Sequence, residues 1–199
     1  MNETKLYIYG AAAHGKVLAD MAEESGWRVA GAFDKNLLRE TLLGQYPVHM
    51  DLGNMTFEED DCFVVAISNN EYRKRVAEQE LKGHKFAVLQ DKTASVSKYA
   101  EVEPGTVLLP YAVIAADVQL GKHCIIGTHA SIDADCLLED YVHISSAVCL
   151  GSDVLVGEGT DIATGARVLP GVTIGKWCCI GEGTVVAEDV ADGMTVSKS

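Results

Sequence analysis

Residues 94–138 read ASVSKYAEVEPGTVLLPYAVIAADVQLGKHCIIGTHASIDADCLL, and every sixth residue in the run is aliphatic: Val96, Val102, Leu108, Ile114, Leu120, Ile126, Ile132 and Leu138. The column continues without a slip through Ile144, Leu150, Val156, Ile162, Val168, Ile174 and Ile180 to Val186, sixteen hexads in all. Two residues before each of these stands a small or β-branched residue, from Ala94 and Ala100 through Thr106, Cys124, Cys136 and Val148 to Cys178 and Thr184. Neither a heptad nor a 3.6-residue helical period gives six. A solenoid of short parallel strands does, because each turn lays an apolar side chain over the one below it.

Working outward, the 199 residues suit one large or two small domains, and 48% hydrophobic content is ample for a core. A net charge of −13 leaves no basic patch for nucleic acid. No stretch approaches the roughly 20 apolar residues of a membrane span. The opening MNETKLYIYG lacks a charged segment followed by an apolar one, so no secretory signal is read and a cytoplasmic protein is expected. Of six cysteines, Cys124, Cys136 and Cys178 occupy the small inward position of the repeat, and there is no CxxC. They are read as compact structural thiols, with no metal site.

Ahead of the repeat the pattern alternates. Residues 5–10 predict a buried strand ending at Gly10, and Val17, Leu18, Met21 and Ala22 recur at helical spacing up to a stop at Gly26. Residues 27–33 predict a second strand ending at Asp34, 62–67 a third, and 86–89 a fourth. Ser68-Asn69-Asn70 reads as a cap for a helix carrying Tyr72, Val76 and Leu81 on one face. Strands alternating with helices imply a small Rossmann-like parallel α/β domain. The expected organisation is an α/β domain over residues 1–92 and a solenoid over 93–199. His49 and His84 fall in expected surface loops without a role.

A strand, a small-residue turn and a helix start form an anion site, since helix N-terminal N–H groups point outward with the positive end of the dipole. Gly10 to Gly15-Lys16 matches the GxxxxGK spacing of a P-loop, but Val17 stands where a Ser or Thr would hold Mg²⁺. The alternatives are a bare strand-to-helix turn and a cradle for the phosphates or base of a nucleotide-sugar. In the second, Asp34 suits a hydroxyl or imino donor, and Ser68 to Asn70 converge on the same sheet edge.

The order Tyr-Ile-Tyr-Gly-Ala-Ala-Ala-His-Gly-Lys (7–16), Phe33-Asp34, Ala66-Ile67-Ser68-Asn69-Asn70-Glu71-Tyr72-Arg73 and then hexads resembles the nucleotide-sugar N-acetyltransferases of the bacillosamine and sialic-acid-like pathways. Sialic-acid O-acetyltransferase-type proteins share the layout. The resemblance spans nearly the whole chain. It implies a left-handed parallel β-helix assembled as a homotrimer, acetyl-CoA as donor and a UDP-4-amino-sugar as acceptor. It places the sugar-nucleotide contacts at Gly10, Ala12, Ala13, His14, Asp34, Lys35, Ser68 and Asn69. It places acetyl-CoA against His143 and around Ile162, Ala163 and Glu182.

The family's catalytic coil reads Asp-His-Asp-Cys or Glu-His-Glu-Cys, its histidine being the general base and the following acid its support. Here the stretch is Ile132-Asp133-Ala134-Asp135-Cys136: the flanks match and the base is Ala134. Loss of a general base typically costs about 10²–10⁴-fold. The substitution reads as an engineered change, as a natural departure with another base, or as the mark of an inactive homologue. The family's Gly-x-Pro-Ala-Lys-like C-terminal segment is not found in Thr195–Ser199. The expected reaction is direct acetyl transfer to the amine of a UDP-4-amino-4,6-dideoxy-sugar, with no covalent intermediate and with Asp135 polarising a base at 134. The alternatives are O-acetylation of a sialic-acid-type sugar and a non-catalytic nucleotide-sugar-binding trimer.

Overall fold

The computed structural model describes residues 4–36, 40–53 and 55–197. Met1–Glu3, at the head of the segment read for a signal, and Lys198 and Ser199 of the tail lie outside them. The chain divides into two compact units, Met1–Leu89 and Gln90–Ser199. The second starts just ahead of the expected 92/93 boundary, because the Asp91 N–H already donates to the Leu108 carbonyl at 2.9 Å, as a rung of the solenoid.

The first unit runs β1 (Lys5–Tyr9), α1 (Ala13–Glu24), β2 (Arg28–Phe33), β3 (Thr41–Leu42), β4 (Tyr46–His49), β5 (Cys62–Val65), α2 (Asn70–Arg75) and β6 (Lys85–Phe86). Its sheet has the order β3-β4-β2-β1-β5-β6. All neighbours are parallel except β3 and β4. That hairpin, which the apolar pattern does not mark, turns through Leu43 at φ 52° and Gly44 at φ 75°. Two consecutive positive φ values match the twist that a tight hairpin needs.

Three sequence expectations are adjusted here. Val17 is 43% exposed, and α1 instead buries Gly15, Leu18, Ala19, Met21 and Ala22. At about 100° per residue, position 17 turns away from the stripe through 15, 18 and 22. Asn69 does cap α2, accepting the Tyr72 N–H at 2.8 Å, but the helix passes into a π turn over Val76–Glu80. The five-residue step from Val76 to Leu81 is this turn, closed by Leu81 N–H to Val76 C=O at 2.9 Å. His49 and His84 belong to aromatic packing: His49 lies 5.6 Å from Phe33, and His84 lies 5.1 Å from Phe57 and 4.8 Å from Phe63 between ring centroids.

The second unit is a left-handed parallel β-solenoid with three faces. The first face stacks Val107–Leu108, Ile125–Ile126, His143–Ile144, Asp161–Ile162, Cys179–Ile180 and Thr195–Val196. The second stacks Ser95–Val96 to Val185–Val186, and the third Glu101–Val102 to Thr173–Ile174. In every pair the second residue faces the core, and the small residue two positions earlier joins it: Ala112, Val118, Cys124, Ala130 and Val142 are all 0% exposed. Residues 18 apart pair in register, as Ile126 with Ile144 and Ile144 with Ile162.

In the inward column the Thr106 and Thr160 hydroxyls are paired, while the buried Thr184 hydroxyl has no hydrogen-bond partner. The Thr160 hydroxyl donates to Gly175 C=O at 2.7 Å and accepts from Cys178 N–H at 3.0 Å. The Cys136 thiol donates to Gly151 C=O at 3.1 Å, and burial pushes its pKa up, which keeps it inert. All six cysteines are free.

The corners carry the strain. One residue in six has positive φ, in an unbroken series from Gly105 through Tyr111, Asp117, His123, His129, Asp135, Tyr141, Ala147, Asp153, Gly159, Gly165, Gly171 and Trp177 to Gly183. On one edge this column becomes a stack of rings. His123 lies 5.2 Å from Tyr141 at an interplanar angle of 2°. Gly105 and Gly159 leave space where a Cβ would drive into the rings of His123 and Trp177.

Gly159 (φ 69°) and Gly171 (φ 76°) separate strain from collision, because a Cβ on Gly171 meets nothing within 4 Å. Gly171→Ala is expected to cost about 1–2 kcal/mol, and Gly159→Ala about 2–4 kcal/mol through the added clash. Urea denaturation followed by circular dichroism measures both. Equal losses would show that the Trp177 ring moves aside freely.

Candidate functional site

The carboxyl ends of β1, β2 and β5 meet where the strand order reverses around β1, the place at which open α/β sheets bind ligands. A depression of about 330 Å³ opens there, lined by Tyr9, Gly10, Ala12, Ala13, His14, Asp34, Asn36, Ala66, Ile67, Ser68 and Tyr72. Its floor is a close approach of backbones. A Cβ on Gly10, at φ 110°, would sit 2.6 Å from Ala66 C=O, and one on Gly15 would collide with the Gly10 carbonyl. Glycine at these two positions lets α1 begin directly against the strand ends.

The N-cap of α1 is Ala12, whose methyl cannot cap the first-turn N–H groups beside the depression. Asp34 organises the opposite wall: Oδ2 accepts Ala11 N–H at 2.8 Å and Oδ1 accepts Asn36 N–H at 2.9 Å. An ionised carboxylate has about four acceptor positions, so both oxygens keep capacity for a ligand donor.

Gly10, Ala12, Ala13, His14, Asp34 and Ser68 are thus brought together, and two other expected residues are not. Asn69 spends its side-chain oxygen on the cap of α2. Lys35 lies outside the lining, its ammonium 2.7 Å from Glu80 Oε1. Tyr9, Asn36 and Tyr72 also line the depression, although the resemblance assigns them no contact. The signal for Tyr9 was its place as the last strand residue before Gly10.

The Ser68 loop is held by Arg73, which is 1% exposed. Its Nη1 donates to Ile67 C=O at 2.9 Å and to Ser68 C=O at 3.1 Å. A charge this deep is tolerated because carbonyl dipoles replace its water shell.

In the solenoid, Ala134 is half-buried on the corner between the second and third faces. Asp133 turns back to accept the Ala134 N–H at 2.8 Å, and Asp135 is an exposed corner residue at φ 63°. His143 projects from the first face, 18% exposed, with Nδ1 3.5 Å from Oδ1 of Asp161 on the next coil. The corner carrying Ala134 is the edge opposite the face carrying His143, so one chain does not bring the two together. Ala163 is half-buried and Glu182 is exposed. Ile162 is a correction: it is 0% exposed inside the core. It belongs to the aliphatic column, and its carbonyl is taken up as a rung by the Ser145 N–H at 2.9 Å. Among the described residues, no cluster of three or more His, Cys, Asp or Glu is placed to hold a metal, and no helix is long and apolar enough to cross a membrane.

Arg73→Leu removes the buried guanidinium that both carbonyls of the Ser68 loop accept from. It is expected to cost about 2–4 kcal/mol in urea denaturation. A loss below about 0.5 kcal/mol would mean that the loop holds itself.

The chain matches the PglD N-terminal domain over residues 5–80 and the bacterial transferase hexapeptide repeat over residues 99–134. The acetyltransferase domain of PglB from Neisseria gonorrhoeae, solved in complex with acetyl coenzyme A, is 33% identical, with a TM-score of 0.92 over 99% of this chain and 97% of that one. A histidine-to-alanine mutant of GDP-perosamine N-acetyl transferase from Caulobacter crescentus, in complex with CoA and GDP-perosamine, is 30% identical, with a TM-score of 0.90 over 98% of this chain and 93% of that one. Identity at this level along nearly the full length of both, together with the two-unit architecture and the unbroken hexads, makes the chain an acyltransferase: it belongs to the hexapeptide-repeat acetyltransferases that carry a PglD-type N-terminal domain.

Proposed function

We propose that the chain is built to transfer an acetyl group from acetyl-CoA to the amine of a nucleotide-linked 4-amino-4,6-dideoxy sugar, with UDP as the nucleotide. The observation that carries the reading is the depression at the switch point. It combines the open N-terminus of α1 with Asp34 and Ser68, a set suited to a nucleoside diphosphate rather than to a free sugar. Relatives of known ligand bind acetyl coenzyme A, or CoA with GDP-perosamine, which supports the sugar-nucleotide class.

The chemistry follows from the residues. The sugar amine attacks the thioester carbonyl, a C–N bond forms, the C–S bond breaks, and the departing sulfur takes up a proton as the CoA thiol. The ammonium formed on attack must pass its proton to a base. A histidine at position 134 would stand half-buried on the corner between the exposed Asp133 and Asp135, with Asp135 as its support. The methyl of Ala134 accepts no proton, and we read the present chain as catalytically impaired. His143, tied to Asp161, is suited to face the thioester oxygen.

Because position 134 and His143 occupy opposite sides of the solenoid, a site using both needs two copies of the chain. This supports a homotrimer with active sites between subunits, grooved for acetyl-CoA near Ala163 and Glu182. Donor and acceptor are both intracellular metabolites in this reading, which places the enzyme in the cytoplasm in service of glycan assembly.

The test is CoA-thiol release from acetyl-CoA with UDP- and GDP-linked 4-amino sugars, comparing this chain with Ala134→His. Restoring the base is expected to raise turnover about 10²–10⁴-fold. Equal turnover in both would move the base elsewhere. Turnover with a hydroxyl acceptor alone would favour O-acetylation, and nucleotide binding without turnover in either would favour a binding protein.

A further inference from the structure

One feature beside the depression takes no part in the chemistry above. The π turn Val76–Glu80 ends at Glu80, whose two carboxylate oxygens serve different elements. Oε2 accepts the hydroxyl of Tyr9, the last residue of β1 and part of the depression's lining. Oε1 accepts Lys35 Nζ at 2.7 Å, from the residue that follows Asp34. A π turn widens the helix by one residue and so rotates every later side chain about its axis. Such insertions recur at functional sites.

The pairing is more than a surface contact. The Glu80 side chain is 19% exposed and that of Lys35 is 52% exposed. Burial pushes the Glu80 carboxyl up, but hydrogen bonds from Lys35 and Tyr9 more than offset this and hold it below the usual carboxylate range. Burial, then the bond to Glu80, push the Tyr9 hydroxyl far above its ordinary value, so Tyr9 stays a donor. Of the three N–H donors on an ammonium, Glu80 takes one, which leaves two for a ligand. A lysine left to itself has a flexible four-carbon stem whose ordering opposes binding.

Resting on the nucleotide reading of the depression, we propose that Glu80 is a positioning residue that holds the Lys35 ammonium at the rim, against the diphosphate of the bound nucleotide. It acts through Lys35 and is not itself a ligand, since its charge would repel phosphate.

The experiment is calorimetric titration of the full chain with UDP and with GDP, using the nucleotide that binds more tightly. Glu80→Gln, Lys35→Met and the double variant are compared, with acetyl-CoA binding as the control. Glu80→Gln is expected to weaken nucleotide binding about three- to tenfold. Lys35→Met should weaken it at least as much, the double variant should match Lys35→Met alone, and acetyl-CoA affinity should hold in all. Unchanged or tighter nucleotide binding in Glu80→Gln overturns the proposal. So does a loss of the same factor when Glu80→Gln is added to Lys35→Met, since Glu80 would then act through Tyr9 or the fold. If the native chain binds neither nucleotide, the reading of the depression itself fails, and the proposal with it.

Discussion

The structure depends on one constraint: each coil of the solenoid must close, in 18 residues through the hexads and in 16 at the last coil, so that its backbone N–H groups meet the carbonyls of the next coil. Ile125 donates to Val142, His143 to Thr160 and Asp161 to Cys178, each at 2.9–3.0 Å, down a single face. A single inserted residue would break the rungs and turn the aliphatic column outward. Closure in so few residues forces sharp corners, and the corners force positive φ even on Tyr111, Ala147 and Trp177. That strain is about 1–2 kcal/mol for each non-glycine residue. Burying one aliphatic side chain returns about 1.5–3 kcal/mol, and each hexad buries an aliphatic and a small residue together. Packing therefore outweighs corner strain, and corner residue types vary wherever no neighbouring ring crowds the corner, as it does at Gly105 and Gly159.

That freedom is where function enters. Corner and outward positions do not hold the coil together, so they can carry Asp133, Asp135, His143 and Glu182 without disturbing the core. The price is dispersion, since in the proposed reaction one chain spreads its chemistry over separate faces of a prism. The acidic corner and the first-face histidine belong to one reaction only if neighbouring copies face each other. The α/β unit solves a different problem. There, Gly10 and Gly15 bring backbones into contact, and the buried Arg73 fixes the Ser68 loop, so that donors and acceptors from three strand ends converge within a single chain.

Much of this was legible in the residues. The sixteen-fold aliphatic column marks the inward positions one by one, down to Ile162, which the period places in the core even though the family resemblance points to a groove there. Strand ends at Tyr9, Phe33 and Val65 carry the small and polar residues that line the depression. What the sequence concealed was long-range or conformational. Nothing local tells that Glu80 meets both Lys35 and Tyr9 across some 45 and 71 residues. The five-residue step from Val76 to Leu81 looks like imperfect periodicity until a π turn accounts for it.

By itself the sequence determined the solenoid, its inward columns and the α/β unit ahead of it, because each is a matter of period. Only the tertiary structure decided which polar side chains are committed and which face the depression: Asn69 to a helix cap, Lys35 to Glu80, Arg73 to two carbonyls. Those assignments depend on distances between segments far apart in the chain, and a one-dimensional pattern carries residue spacing but not the folded path that sets those distances.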